Sequence, residues 1–133
     1  MERTYTRPLL DKLGVRPASR VALVGLDDAG FQSELTERTD DITVGDPQPE
    51  TEIVFLAADR ADEPFELSRL EPSLRSNGAI WVVSRKGKRA TLRDVDVIDA
   101  ARAAGLVDNK VVSFSDTHTA LRLVIALARR ASR

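Results

Sequence analysis

The stretch from Arg20 to Gly30, Arg-Val-Ala-Leu-Val-Gly-Leu-Asp-Asp-Ala-Gly, constrains this chain more than any other. Val21 to Val24 is a short, unbroken apolar run, which suits a strand buried on both faces rather than one with a wet side. Gly25 ends the run, and a polar turn leads into a helical stretch beginning near Asp28. A strand covered on both faces needs helices above and below it, so this unit predicts a layered α/β domain. In such domains ligands gather at the turn where strand gives way to helix.

The rest of the chain repeats the theme. Pro8 can open a short helix with Leu9, Leu10 and Leu13 on its apolar side, stopped by Gly14. Phe31 and Leu35 stand four apart on the helix that follows Gly25 and fades near Thr39-Asp40. Ile42 to Val44 reads as a weak strand, and Ile53 to Ala58, a continuous apolar run, as a buried one. From Pro64, Leu67, Leu70 and Leu74 recur at i, i+3 and i+7, which predicts a helix with one buried stripe that Asn77-Gly78 ends. Ala79 to Ser84 is a third buried strand. Thr91 is placed to cap the next helix, with Asp94 three residues on and Leu92, Val95, Ile98 and Ala101 inward. Gly105 closes that helix. Lys110 to Ser115 and Leu121 to Leu127 are apolar runs around a short turn and read as an antiparallel strand pair, although the Leu- and Ala-rich second run also suits a helix.

Only eight residues, two of them proline, separate Val44 from Ile53, whereas a parallel crossover usually takes a dozen or more. Either Ile42 to Val44 is an irregular edge segment, or one strand–helix unit is shortened or missing; the short chain favours the second. The fold class predicted is therefore a three-layer, Rossmann-like α/β domain over residues 1–133. Its sheet is mainly parallel and carries an antiparallel C-terminal strand pair.

Composition narrows the function classes. A net charge of -1 draws the chain neither to nucleic acid nor to an anionic membrane. The absence of cysteine excludes disulfides and thiolate metal sites, and the single histidine, His118, excludes a two-histidine metal site. No run approaches the ~18 apolar residues of a membrane span, and the N-terminus lacks the apolar core of a signal peptide. These features predict a soluble cytoplasmic protein.

Several segments resemble known proteins. Leu9-Leu10-Asp11-Lys12-Leu13-Gly14-Val15-Arg16-Pro17, running into Val21 to Gly25, resembles the approach to the first strand of class I S-adenosylmethionine-dependent methyltransferases. Leu74 to Val83 resembles a later strand of those enzymes, and Ala104-Gly105-Leu106-Val107 with the closing pair resembles their C-terminal end. Within that superfamily the chain is most similar to a family of small uncharacterised bacterial proteins. Its members share Thr6-Arg7-Pro8-Leu9 and Gly105-Leu106-Val107-Asp108-Asn109-Lys110-Val111. That family implies no established activity.

Against the methyltransferase pattern, Leu23 stands where an acidic residue belongs, and only Gly25 remains of a Gly-x-Gly-x-Gly turn. Asp27 and Ala29 fill the other two positions, although glycine is used there so that the backbone can approach the cofactor. Asp27 and Asp28 suit a helix N-terminus but would repel the carboxylate of S-adenosylmethionine. Gly25, Asp27 and Asp28 are thus the residual cofactor-binding candidates, read chiefly as turn and cap. Asp46 lies near where the resemblance would put a ribose-binding carboxylate.

Other candidates each carry a bland alternative. Arg85-Lys86-Gly87-Lys88-Arg89 leaves a central strand and enters a helix, so Arg85, Lys86, Lys88 and Arg89 are anion-binding candidates; otherwise they form a solvated basic loop. His118 lies near Asp116, but no Gly-x-Ser-x-Gly elbow accompanies Ser84 or Ser115, and a turn histidine is the simpler reading. Asp108-Asn109-Lys110 reads equally as an Asx-type turn with Lys110 near a helix C-terminus, or as a partner-contact patch. The resemblance and its departures together imply a non-catalytic, methyltransferase-like scaffold. It would lack a working cofactor site, need no cofactor, and act through protein partners or homo-oligomerisation. The alternative is a small-molecule or nucleotide-binding protein, or an enzyme using the strand-end crevice in a non-standard way.

Overall fold

A computed structural model describes residues 8–58, 66–87 and 92–130. In chain order they form α1 (Leu9–Lys12), β1 (Val21–Val24), α2 (Ala29–Arg38), β2 (Ile42–Val44), β3 (Thr51–Ala57), α3 (Leu67–Leu70), a 3-10 turn (Glu71–Ser73), β4 (Leu74–Arg85), α4 (Asp94–Ala103), β5 (Leu106–Ser113), β6 (His118–Ile125) and α5 (Leu127–Arg130). The six strands make one sheet in the order β2-β1-β3-β4-β6-β5. The first four are parallel, and β6 runs antiparallel between β4 and β5.

The unbroken apolar runs become strands with two buried faces, because their side chains alternate between two cores. Ala22, Val24, Val54, Leu56, Ile80 and Val82 face a core closed by Leu67 and Leu70 of α3 and by Val97 and Ala101 of α4. Val21, Leu23, Ile53, Phe55, Trp81 and Val83 face another, closed by Leu10 of α1 and by Phe31 and Leu35 of α2. Helices therefore lie on both faces of the sheet, and the three-layer expectation holds. The C-terminal runs are strands, as expected, although the second ends at Ile125 and Leu127 begins α5.

The brief β2–β3 connection is resolved geometrically. β2 is a true strand, parallel to β1 with Val21 opposite Ile42, while β3 lies on the other side of β1 with Val21 opposite Ile53. Between them run only Gly45 to Glu50, without strand or helix. Three residues of strand rise ~10 Å and two strand spacings cross ~10 Å, whereas six residues reach ~20 Å. A three-residue strand can be returned by so few residues; a full-length one could not. Arg20 anchors the return, its guanidinium donating to the Pro49 carbonyl at 2.7 Å and to Asp41 at 3.0 Å.

Two boundaries differ from the sequence expectation. The Leu67–Leu70–Leu74 stripe is not one helix. α3 ends at Leu70, Pro72 sits in the 3-10 turn that follows, and Leu74 already belongs to β4. Proline lacks the N–H that would continue the helical ladder. Asn77-Gly78 consequently caps nothing. Thr51 pairs with Leu74 and Ile53 with Ala79, so two steps along β3 span five along β4, and Arg75 to Gly78 form a wide bulge. Gly78 is required because a Cβ there would meet the Glu52 carbonyl oxygen at 2.8 Å. The second difference concerns α4. Thr91 and Pro64 lie outside the described residues; the N-cap is Arg93, whose partner three residues on is Asp96 rather than Asp94. Of the expected inner residues Leu92 and Ala101 are buried and Ile98 packs against the core, whereas Val95 is exposed and Val97 is buried in its place.

Candidate functional site

The carboxyl ends of β1 to β4 form one rim of the sheet, where parallel α/β folds place their ligands. At the β1–α2 turn Gly25 has φ +72°, and a Cβ there would lie 4.0 Å from Ala57. Its glycine thus serves backbone conformation rather than close approach. Leu23 is buried in the core with Phe31 and Phe55, whose rings meet edge to face at 5.1 Å. The Asp28 carboxylate accepts the Phe31 backbone N–H at 3.0 Å and so caps α2, while Asp27 is exposed. Asp46, just beyond β2, accepts from the Arg69 guanidinium, which also bonds Glu66 just before α3. The polar groups that could have received a cofactor here are largely engaged within the protein.

Further along the same rim, β4 ends at Arg85 opposite His118 of β6. A groove of about 460 Å³ lies there, lined by Arg85, Lys86, Asp116, Thr117 and His118. Lys86 donates to Ser113 Oγ at 2.8 Å, and His118 Nδ1 lies 2.8 Å from Thr117 Oγ1. Ser115 Oγ receives the backbone N–H groups of Thr117 and His118, the pattern of a turn hydroxyl. Lys88 and Arg89, half of the expected basic loop, lie outside the described residues. Among the described residues no cluster of His, Asp and Glu could hold a metal ion.

Asp108-Asn109-Lys110 is not the Asx turn that one reading anticipates. The three residues lie within β5 at a shift of register, and Lys110 Nζ donates to the Lys12 carbonyl at 3.3 Å. The α4 C-terminus is served instead by Arg129, whose guanidinium reaches the Ala104 and Gly105 carbonyls.

Sequence reasoning missed the opposite, amino end of the sheet. A pocket of about 270 Å³ opens there, with Arg16, Glu52, Asn77 and Arg122 in its wall. Arg122 stands on β6 beside Trp81. The signal available was a lone arginine inside the otherwise apolar run Leu121 to Leu127.

The strand order and both helical layers define a methyltransferase-like α/β fold, and solved structures agree. A SAM dependent methyltransferase from Aquifex aeolicus is similar at a TM-score of 0.69 with 13% identity, over 89% of this chain and 88% of that one. A chain in the complex between the Haloferax volcanii Trm112 methyltransferase activator and the putative methyltransferase gives 0.67 and 13%, over 89% and 88%. A putative type 11 methyltransferase from Sulfolobus solfataricus gives 0.64 and 12%, over 88% and 89%. At these identities the likeness establishes the fold alone. The chain itself belongs to the family described as protein of unknown function DUF3052, whose model matches residues 11–126. No curated protein matches it.

Proposed function

We propose that this protein is a methyltransferase-like scaffold that acts by binding a protein partner or a second copy of itself, not by transferring a methyl group. The observation that carries this reading is the state of the carboxyl-end rim: Leu23 is buried, Asp28 caps α2, and Asp46 is bonded to Arg69. A S-adenosylmethionine molecule would meet an Asp46 already bonded to Arg69 and find no acid at the first position. The partner half is supported by the occurrence of this fold in a complex with an activator protein. Isothermal titration with S-adenosylmethionine tests the first half; the expected result is no saturable heat, and a Kd near 1 μM, about -8 kcal/mol, would overturn it. Light scattering across a concentration series, followed by cross-linking in extract, tests the second half.

One observation favours a second reading, a small-molecule binder. The groove between Lys86 and His118 combines a cation with a titratable imidazole beside the strand ends. If an anionic metabolite binds there, Lys86→Gln removes most of the salt dependence of its affinity. An affinity indifferent to that change eliminates the groove.

A further inference from the structure

The amino-end pocket holds a charge that its surroundings do not neutralise. Arg122 lies on an interior strand, half-buried, and its one polar contact among the described residues is a long 3.4 Å bond to Asn109 Oδ1. Among the described residues no carboxylate pairs with it, although a charge withdrawn from water is normally held by a counter-charge or a full set of hydrogen bonds. Its pKa is lowered from the usual guanidinium value, first by burial and then by the neighbouring charge of Arg130. The acid in the pocket wall, Glu52, is already engaged: one oxygen accepts the Arg20 backbone N–H at 3.1 Å and the other the Arg75 guanidinium at 2.7 Å. Arg16, also in the wall and exposed, has no side-chain partner among the described residues.

Two guanidinium groups and the Asn77 amide thus share one concave space of about 270 Å³, just below the usual size of small-ligand pockets, about 300–1,000 Å³. Planar, fixed donor forks of this kind match the oxygens of carboxylates and phosphates. We propose that this pocket binds a small oxyanion, the carboxylate or phosphate group of a metabolite, with Arg122 as its counter-charge and Arg16 as the second donor. The site lies at the opposite end of the sheet from the methyltransferase cofactor rim, so it stands or falls independently of the scaffold reading. The bulge of β4 supplies one wall through Asn77, and the turn after α1 supplies another through Leu13 and Gly14.

Trp81 provides the reporter. It is the single tryptophan of the chain, and its indole N–H donates to the Leu13 carbonyl at 3.1 Å, so it is coupled to a wall residue of the pocket. The whole chain would be titrated at low ionic strength with malate and, separately, with glycerol phosphate, following both Trp81 fluorescence and heat. The expected result is saturable binding of at least one probe with a Kd below about 1 mM. Response to malate alone assigns a carboxylate ligand, and response to glycerol phosphate alone assigns a phosphate. Arg122→Gln is expected to weaken binding about tenfold or more and Arg16→Gln by several-fold, each reducing its salt dependence. Arg16 is exposed, so Arg16→Gln keeps the test open should Arg122→Gln fail to fold. The proposal is overturned if neither probe saturates, or if the binding seen survives both substitutions unchanged.

Discussion

The two ends of this sheet are built from the same strands and have opposite chemistry. At the carboxyl end most of the candidate positions are buried in the core or bonded within the chain. Leu23 is core, Asp28 is a helix cap, and Asp46 is held by Arg69. At the amino end, which such folds normally leave inert, Arg122 and Arg16 share a pocket whose one acid, Glu52, is already bonded to Arg20 and Arg75. The difference teaches that a fold brings strand ends and helices together but does not itself make a site. The site depends on which side chains are left with unspent hydrogen-bonding capacity once the architecture is satisfied.

The strongest attempt to break this contrast is to return an acid to the first strand. Leu23→Glu puts a carboxylate among Phe31, Phe55 and Leu35, and is expected to destabilise the protein by about 4 kcal/mol, measured by urea unfolding. Near-native stability would mean that the carboxyl end can still solvate an acid, and the contrast would weaken. Next comes Trp81→Phe at the amino end. It removes a buried indole and orphans the Leu13 carbonyl, for an expected loss of about 2 kcal/mol. Gly78→Ala drives a methyl group against the Glu52 carbonyl oxygen, which as backbone has little freedom to retreat. A cost of about 1–3 kcal/mol is expected, together with a distorted pocket wall.

Asp28→Ala sharpens the comparison from the other side. If this carboxylate is only a cap, thermal unfolding registers a loss of about 1 kcal/mol and nothing else changes. A change in any ligand's affinity would show that the carboxyl rim retains a binding role. The smallest effect concerns Asp96. Its carboxyl pKa is held below the ordinary value by the Arg93 side chain first and the Arg93 backbone N–H second. A depressed carboxyl pKa favours the folded state above the ordinary value, and that contribution disappears as pH falls through the lowered one. Comparing melting temperature against pH for Asp96→Asn and the parent should therefore show a gap above the carboxylate range that closes in acid.

How far the sequence could be read follows from the range of the forces involved. Val21 to Val24, Ile53 to Ala58 and Ala79 to Ser84 were plain because burial on both faces imposes a local, unbroken apolar pattern. The bulge at Arg75 to Gly78 was not, since Asn-Gly after leucines spaced like a helix reads equally as a cap, and only the Glu52 carbonyl across the sheet decides otherwise. The start of α4 turned on which residue caps it, a matter of one hydrogen-bonding pair. The amino-end pocket was hidden because it joins Arg16 to Arg122 across most of the chain; Arg122 stands out in its apolar run, but nothing local to either residue points to the other.

The placement of β6 has a consequence for how the protein is made. β5 is synthesised before β6, yet among the described residues β6 is its one partner in the sheet and separates it from β4. While residues up to about Ser113 have left the ribosome, Val82 and Ile80 of β4 lack their neighbour and β5 has nothing to pair with. The parallel half can form during elongation, but the antiparallel half must wait until the chain through Ile125 is free. A nascent chain stalled in that interval presents an unsatisfied central strand edge, the kind of surface that chaperones cover and that aggregates when they do not.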